Sequence, residues 1–204
     1  MVGSPLEFSG VSQWLGFVIG AVLAMIALGE GQAYFVSMFQ VYSQREKMVH
    51  DLNPSHHVDV SSLPLLILAG WTWSRKRPVR PPYFPDSRLC CALVPLSGAV
   101  AVLLLSGILG TFHVIFPGET VETAIEATTL IMAANLLIPV PPLALGRALC
   151  CPFEDWRKHQ SSLELGGTMV LTALVLVEYW ARVPLLQRMI LPVSETLSRW
   201  IVNA

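Results

Sequence analysis

Three prolines in four positions interrupt a long apolar segment, and they constrain the fold more than any other feature. They are Pro139, Pro141 and Pro142, within the run N-L-L-I-P-V-P-P-L-A-L-G from Asn135 to Gly146. Proline lacks a backbone donor and blocks a helix interior. In hydrocarbon, freed backbone groups are tolerated only where protein or a water-filled cavity covers them. The run therefore predicts a helix broken at a packed, interior place, where membrane proteins often bind substrates or ions.

Composition places the chain among polytopic membrane proteins. Of its 204 residues, 53% are hydrophobic and 13% are charged, whereas soluble domains carry roughly 25% charged residues. Four apolar stretches are long enough to cross a bilayer core, so we predict one all-α membrane domain over residues 1–204. The predicted spans are residues 11–39, 89–116, 124–149 and 163–183. A net charge of -1 gives no reason to expect nucleic acid as a partner.

The segments between the spans are predicted from their length and composition. Residues 61–74 are too few to span and predict a re-entrant or interfacial segment, with Trp71 and Trp73 at the headgroup level. The basic, proline-rich run of residues 75–85 predicts an extended loop, and residues 184–204 predict an amphipathic interfacial tail. We expect no cleavable signal peptide, because no basic residue precedes the first apolar run.

The distribution of basic residues predicts the orientation in the membrane. Of thirteen Lys and Arg residues, seven follow the first span and three lie at or after the end of the third. Basic residues are enriched in cytoplasmic loops. Both large loops should therefore be cytoplasmic and the N-terminus should lie outside.

Two carboxylates fall within predicted spans. Glu30 interrupts the first span beside Gln32, and an ionisable group at that depth is a functional-site hypothesis by default. The alternative is that Glu30 reaches the interface or forms hydrogen bonds within the bundle, with Gln32, His57 or a backbone amide. Glu178 lies in the last span and could pair with Arg182 at i+4.

Two motifs in fixed order resemble one family. The run L-N-P-S-H-H-V-D matches the first eight positions of the pattern L-N-P-x-x-H-x-D-P, about two dozen residues after Glu30. The run from Asn135 to Leu143 is close to the pattern N-x-x-P-x-P-P-L-D-G, with one more residue before the first proline. The matched residues of the first pattern are Leu52, Asn53, Pro54, His57 and Asp59. The chain thus resembles, over about residues 14–150, the short bacterial branch of the site-2 protease family, which are intramembrane zinc metalloproteases. The resemblance implies a protein of the bacterial inner membrane.

The chain departs from this family at the positions that bind zinc. The family's first helix carries H-E-x-x-H, and here Gly29 and Ala33 stand at the two histidine positions, so that only Glu30 remains. The family's third ligand is the aspartate of L-D-G, whereas this chain reads Leu143-Ala144-Leu145-Gly146. Zinc needs several such ligands together. Without the metal, water keeps a pKa near its bulk value, and Glu30 would be a vestigial general base.

Other residues could in principle replace the missing ligands. His56, His57 and Asp59 form a polar cluster that could bind a metal. The pairs Cys90-Cys91 and Cys150-Cys151 could together hold a structural zinc, although adjacent ligands strain a tetrahedral site. The simpler interpretation is that the cysteines are buried small hydrophobic residues and that the histidine cluster belongs to a structural motif.

Three hypotheses for the function follow. The first, which we favour, is a catalytically inactive binding or scaffold subunit of a larger membrane complex, with other membrane proteins as partners, the bilayer as its environment and no cofactor. The second is an active zinc protease with an altered site, in which His56 or His57 folds back toward Glu30. The third is a transporter-like subunit that binds a lipid, a quinone or another substrate. Under the first hypothesis, Asn135 and the three prolines have a structural role.

Overall fold

Helices form nearly all of the chain that the structure, a computed structural model, describes. The described residues are Pro5, 8–39, 52–75, 87–151 and 153–203. They form the α-helices α1 (Val11–Phe39), α2 (Pro54–His57), α3 (Leu63–Ala69), α4 (Ser87–Ile115), α5 (Glu119–Leu137), α6 (Ala144–Cys150), α7 (Glu154–Ala181) and α8 (Leu185–Val202). A 3₁₀ turn covers Val60–Ser62. The predicted all-α class is confirmed.

Three described helices are long and apolar enough to cross a membrane. These segments are Val11–Met38, Ala92–Ile115 and His159–Ala181, and they lie where the first, second and fourth spans were predicted. Helices of this length and composition are typical of an integral membrane protein. The predicted orientation stays a prediction, because many of the basic residues that support it, and the proline-rich run of residues 76–85, lie outside the described residues.

The predicted third span is broken into two helices, as its prolines predicted. Helix α5 ends at Leu137 and α6 begins at Ala144, with the prolines between them. Helix α5 has 19 residues, three of them glutamates, and is not among the three candidate spans. Almost every residue from Thr123 to Asn135 is buried. Helix α5 is thus a central helix covered by its neighbours α1, α4 and α8.

Small residues bring the central helices close together. A Cβ atom at Gly20 of α1 would lie 2.7 Å from the carbonyl oxygen of Ala124 in α5, so a larger side chain would force the two backbones apart. Farther along α1, Ala24 and Leu28 join a core with Ile131 and other residues of α4 and α5. Small residues at helix crossings in membranes permit this close van der Waals packing.

Helix α3 lies within the predicted interfacial segment and is followed by two buried tryptophans. The helix has seven residues and ends at Ala69, and it is followed by Gly70, whose φ of 78° is readily adopted by glycine. The next residues include Trp71 and Trp73, which are only 2% and 1% exposed. Their predicted level relative to the lipid headgroups stays a prediction. The two tryptophans complete the protein core, and the Trp73 indole N–H donates to Asp59 at 3.2 Å.

Helix α8 packs one face against the bundle. Its buried residues are Ile190, Ser194, Ser198 and Ile201, which recur at the spacing of one helix face, and they contact α5 and α4. Glu178 accepts a hydrogen bond from the backbone N–H of Leu186 in the first turn of α8. Glu178 therefore caps α8, a role that its predicted pairing with Arg182 did not include.

Candidate functional site

The carboxylate of Glu30 lies beside the imidazole of His57. The distance between Oε1 of Glu30 and Nε2 of His57 is 3.6 Å, and their side chains are 15% and 2% exposed. His57 comes from α2, 27 positions further along the chain. The second sequence motif therefore folds back onto the first, as the altered-site hypothesis and the expected bonding of Glu30 both allowed.

Gly29 provides the space that His57 occupies. A Cβ atom at Gly29 would overlap Nδ1 of His57, and it would lie 2.9 Å from Cε1 of the same ring and 3.0 Å from Oγ of Ser74. The imidazole thus lies against the α1 backbone at a position where any side chain on residue 29 would collide with it. Position 29 corresponds to the first zinc-binding histidine in the family that the chain resembles.

Local capping interactions hold His57 in this position. Asn53 caps α2, because its side chain accepts hydrogen bonds from the Ser55 backbone at 3.1 Å and from the Ser55 hydroxyl at 2.8 Å. Pro54 follows at the first helical position, which suits its fixed φ. The carbonyl of His57 then accepts from the N–H of Arg75 at 2.8 Å. The matched Asn-Pro pair is therefore structural here.

Asp59 organises the turn that follows His57. Its Oδ1 accepts from the backbone and hydroxyl of Ser61 at 3.0 Å and 2.7 Å, and its Oδ2 accepts from the Trp73 indole. Burial alone would raise the pKa of Asp59. The hydrogen bonds from Ser61 and Trp73, together with the positive charge of Arg147, outweigh burial and hold the pKa below its ordinary value.

Substitution of Asp59 by Asn should destabilise the protein in a pH-dependent way. Because the pKa of Asp59 is lowered by folding, its contribution is fully present above the ordinary pKa of 3.8 and is lost as the pH falls through the lowered value. At pH 7 we expect Asp59→Asn to reduce the free energy of unfolding by about 1 kcal/mol. Unfolding in detergent between pH 7 and pH 3 should show the stability difference between the wild type and Asp59→Asn becoming smaller as the pH falls. A difference that stays constant over this range would contradict the lowered pKa of Asp59.

Asn135 joins three segments at the proline break. Its amide donates to the carbonyl of Thr72 and to that of Ile131, both at 2.9 Å, and its Oδ1 accepts from the N–H of Ala144 at 3.3 Å. The side chain is 2% exposed. Since α5 ends at Leu137 and α6 begins at Ala144, the side chain of Asn135 connects the end of α5, the first residue of α6 and the segment that holds Thr72. The structural role expected of Asn135 and of the prolines Pro139, Pro141 and Pro142 stays a prediction.

A buried ion pair beyond the prolines was not predicted. Nε of Arg147 in α6 lies 3.2 Å from Oε1 of Glu164 in α7, and their side chains are 8% and 11% exposed. The charge of Arg147 also acts on Asp59. The sequence does contain an indication of this pair. Arg147 and Glu164 lie in or beside apolar runs, where an ionisable residue usually pairs with another. The pair links the Asp59 turn, α6 and α7.

The described residues do not fit a zinc ion. Glycine and alanine stand at positions 29 and 33, and the imidazole of His57 fills the space beside Gly29. His57 faces Glu30 and Asp59 faces Ser61 and Trp73, while His56 is exposed, so these three residues do not converge. No group of three His, Cys, Asp or Glu side chains in the described ranges could hold a metal. Cys150 and Cys151 are partly buried, and the side chains of Cys90 and Cys91 lie outside the described set.

An apolar groove opens between α1 and α4 next to Glu30. Its volume is about 380 Å³, and its lining residues are Gly31, Tyr34, Phe35, Leu93, Leu96, Ser97, Val100, Ala101 and Leu104. The Ser97 hydroxyl is already engaged, since it donates to the carbonyl of Val94 at 2.7 Å. The groove therefore suits an apolar occupant. Glu30 directly precedes its first lining residue, Gly31.

Comparison with known proteins supports the resemblance in a coarse form. Over 105 residues the chain is 30% identical to a protein of Bacillus subtilis (strain 168) described as "Putative zinc metalloprotease YwhC". The similar region covers 45% of this chain and 48% of that protein, so the chain spans about half the length of the curated relative. No family model matches the chain, and no solved structure matches it. The chain is thus a helical, membrane-type protein with distant similarity to a zinc metalloprotease.

Proposed function

We propose that this chain is a site-2-protease-like integral membrane protein that does not hydrolyse peptides and acts as a binding or scaffold subunit of a membrane complex. The observation that carries the proposal is the side chain of His57 against Gly29. A histidine at position 29 and the observed His57 would compete for one volume. His57 therefore occupies the space that the first metal ligand would need. The residues at the other two ligand positions are apolar as well.

The groove between α1 and α4 supports the binding part of the proposal. Its lining is almost entirely apolar, and it adjoins the helix that carries Glu30. Pockets for ligands commonly have volumes of about 300–1,000 Å³, which includes this one. A membrane-embedded segment of a partner could place apolar side chains there, while the Glu30–His57 pair holds the loop of residues 52–75 against α1.

Cleavage assays in a reconstituted bilayer test the proposal. We expect the purified chain to leave membrane-spanning peptide substrates intact, and we expect neither a zinc supplement nor a chelator to change this result. Glu30→Gln should behave as the wild type in the same assay. Cleavage that a chelator abolishes, and that Glu30→Gln also abolishes, would overturn the proposal.

One observation favours a second candidate, an active metalloprotease with an altered site. His57 does fold back to within 3.6 Å of Glu30, as that hypothesis required. It would need two further ligands that the described residues do not bring to this place. His57→Ala separates the two candidates, because loss of a chelator-sensitive cleavage activity is expected for the protease alone.

A further inference from the structure

A small polar cavity lies between α5 and α8 and shares no lining residue with the groove beside Glu30. Its volume is about 200 Å³. It is lined by Glu126, Thr129, Leu130, Leu191, Ser194, Glu195, Ser198 and Arg199. All but the two leucines are polar, in a bundle whose other helix contacts are mostly apolar. Polar groups in a packed interior need hydrogen-bond partners, so this concentration of polar side chains suits polar contents in the cavity.

The hydroxyl groups of the cavity present acceptors to its interior. The hydroxyls of Thr129, Ser194 and Ser198 donate to backbone carbonyls of their own helices, at 2.9 Å, 3.3 Å and 3.2 Å respectively. Each hydroxyl has one proton to donate and two lone pairs to accept with. The Thr129 contact has the length of an ordinary hydrogen bond, whereas the longer contacts of Ser194 and Ser198 leave their hydroxyls able to rotate. Each serine oxygen can therefore offer a lone pair to a ligand. A ligand rich in donors would satisfy them.

The charges that line the cavity also favour a cation. Arg199 pairs with Glu195, with 3.2 Å between Nη2 and Oε2, and its side chain is 72% exposed. Glu126 adds a second carboxylate to the lining, so carboxylates outnumber guanidinium groups. The volume exceeds what a single water occupies in the liquid, about 30 Å³, by several fold. The space therefore suits a small organic cation.

We propose that this cavity binds a primary ammonium group, carried by a free small amine or by a lipid headgroup. The three N–H donors of an ammonium match the carboxylate of Glu126 and the hydroxyl oxygens of Ser194 and Ser198, and hydrogen bonds between charged groups are the stronger kind. A quaternary ammonium has no N–H donor and cannot form them. This inference does not depend on the function proposed above.

Ligand titration of the full chain in detergent tests the inference. Ethanolamine hydrochloride is the probe, and choline chloride at the same ionic strength is its matched comparison. We expect ethanolamine to raise the unfolding temperature in a saturable way, since a ligand that binds only the folded state stabilises it. Choline should produce no saturable shift. Equal shifts from the two cations, or no shift from either, would overturn the inference.

Two glutamates of α5 provide matched variants. Glu126→Gln should weaken ethanolamine binding by about tenfold or more, because a hydrogen bond to a charged group is lost. Glu119→Gln should leave it unchanged, since Glu119 lies outside the cavity lining and accepts hydrogen bonds from Ser12 and Gln13. Ser194→Ala removes one acceptor and provides a second test that keeps the charge. Unchanged binding in both Glu126→Gln and Ser194→Ala would contradict the assignment.

Vesicles of defined lipid distinguish the two sources of the ammonium group. In phosphatidylcholine vesicles the chain should respond to free ethanolamine. If a lipid headgroup is the occupant, phosphatidylethanolamine vesicles should stabilise the wild type but not Glu126→Gln, and added ethanolamine should have no further effect. If the occupant is a free amine, the ethanolamine response should persist in both kinds of vesicle. No response in either kind of vesicle would contradict the inference.

Discussion

Gly29→Ala is expected to expel the imidazole of His57 from its position beside α1. The new Cβ would overlap Nδ1 of His57, and the ring has little room to move because the side chain is 2% exposed. Overpacking in a tight interior costs about 1–3 kcal/mol, and separating His57 from Glu30 adds the cost of a buried polar group without its partner. We expect the free energy of unfolding in detergent to fall by about 3 kcal/mol.

Gly107→Ala is the matched control for that variant. Gly107 also lies inside a membrane-type helix, and a Cβ there would meet nothing within 4 Å. Replacing an unconstrained helix glycine by alanine is neutral or stabilises by about 0.5–1 kcal/mol. The double variant Gly29→Ala/His57→Ala should lose less unfolding free energy than the sum of the losses in the two single variants, because the effects of substitutions at residues in contact are not additive. Strict additivity would show that the contact between positions 29 and 57 does not form.

Gly167→Ala is expected to detach α7 from the proline break. A Cβ at Gly167 would overlap the carbonyl oxygen of Pro141 and lie 2.8 Å from its carbonyl carbon. The obstacle is backbone, so no side-chain rotation relieves the clash. We expect a loss of about 3 kcal/mol or more in the free energy of unfolding, at the upper end of overpacking costs, measured by thermal or detergent-titration unfolding.

Gly166→Ala is the neighbouring control for Gly167→Ala. The two glycines are consecutive in α7, yet a Cβ at Gly166 would meet nothing within 4 Å. This substitution should be neutral or slightly stabilising, for the same reason as at Gly107. Equal destabilisation by both substitutions would mean that α7 does not pack against Pro141 as described.

Hydropathy and the prolines were sufficient to predict the helical class, the positions of three long apolar helices and the break after Asn135. These features follow from local properties, namely length, apolar content and the missing donor of proline. The position of Trp71 and Trp73 could not be predicted in the same way. A tryptophan near an apolar segment suits either a headgroup or a core, and the choice depends on which distant residues, such as Asp59, accept its N–H.

The candidate site brings together residues that the sequence singled out, in an arrangement that the sequence did not predict. The resemblance drew attention to Glu30, His57 and Gly29, and the altered-site hypothesis allowed His57 to approach Glu30. What could not be read from the sequence is that His57 takes the space of the missing residue-29 side chain, since this needs the three-dimensional course of the loop. The ion pair of Arg147 and Glu164 was missed for the same reason, because its members lie 17 positions apart on different helices.

Metal content is the measurement that tests the central claim most directly. The claim is that the chain has kept a protease-like framework whose zinc position is replaced by the contact of His57 with Gly29. Elemental analysis of the full chain, purified after growth with added zinc, should find far less than one zinc per chain and no dependence on Glu30 or His57. One zinc per chain that is lost in Glu30→Gln and in His57→Ala would contradict the account.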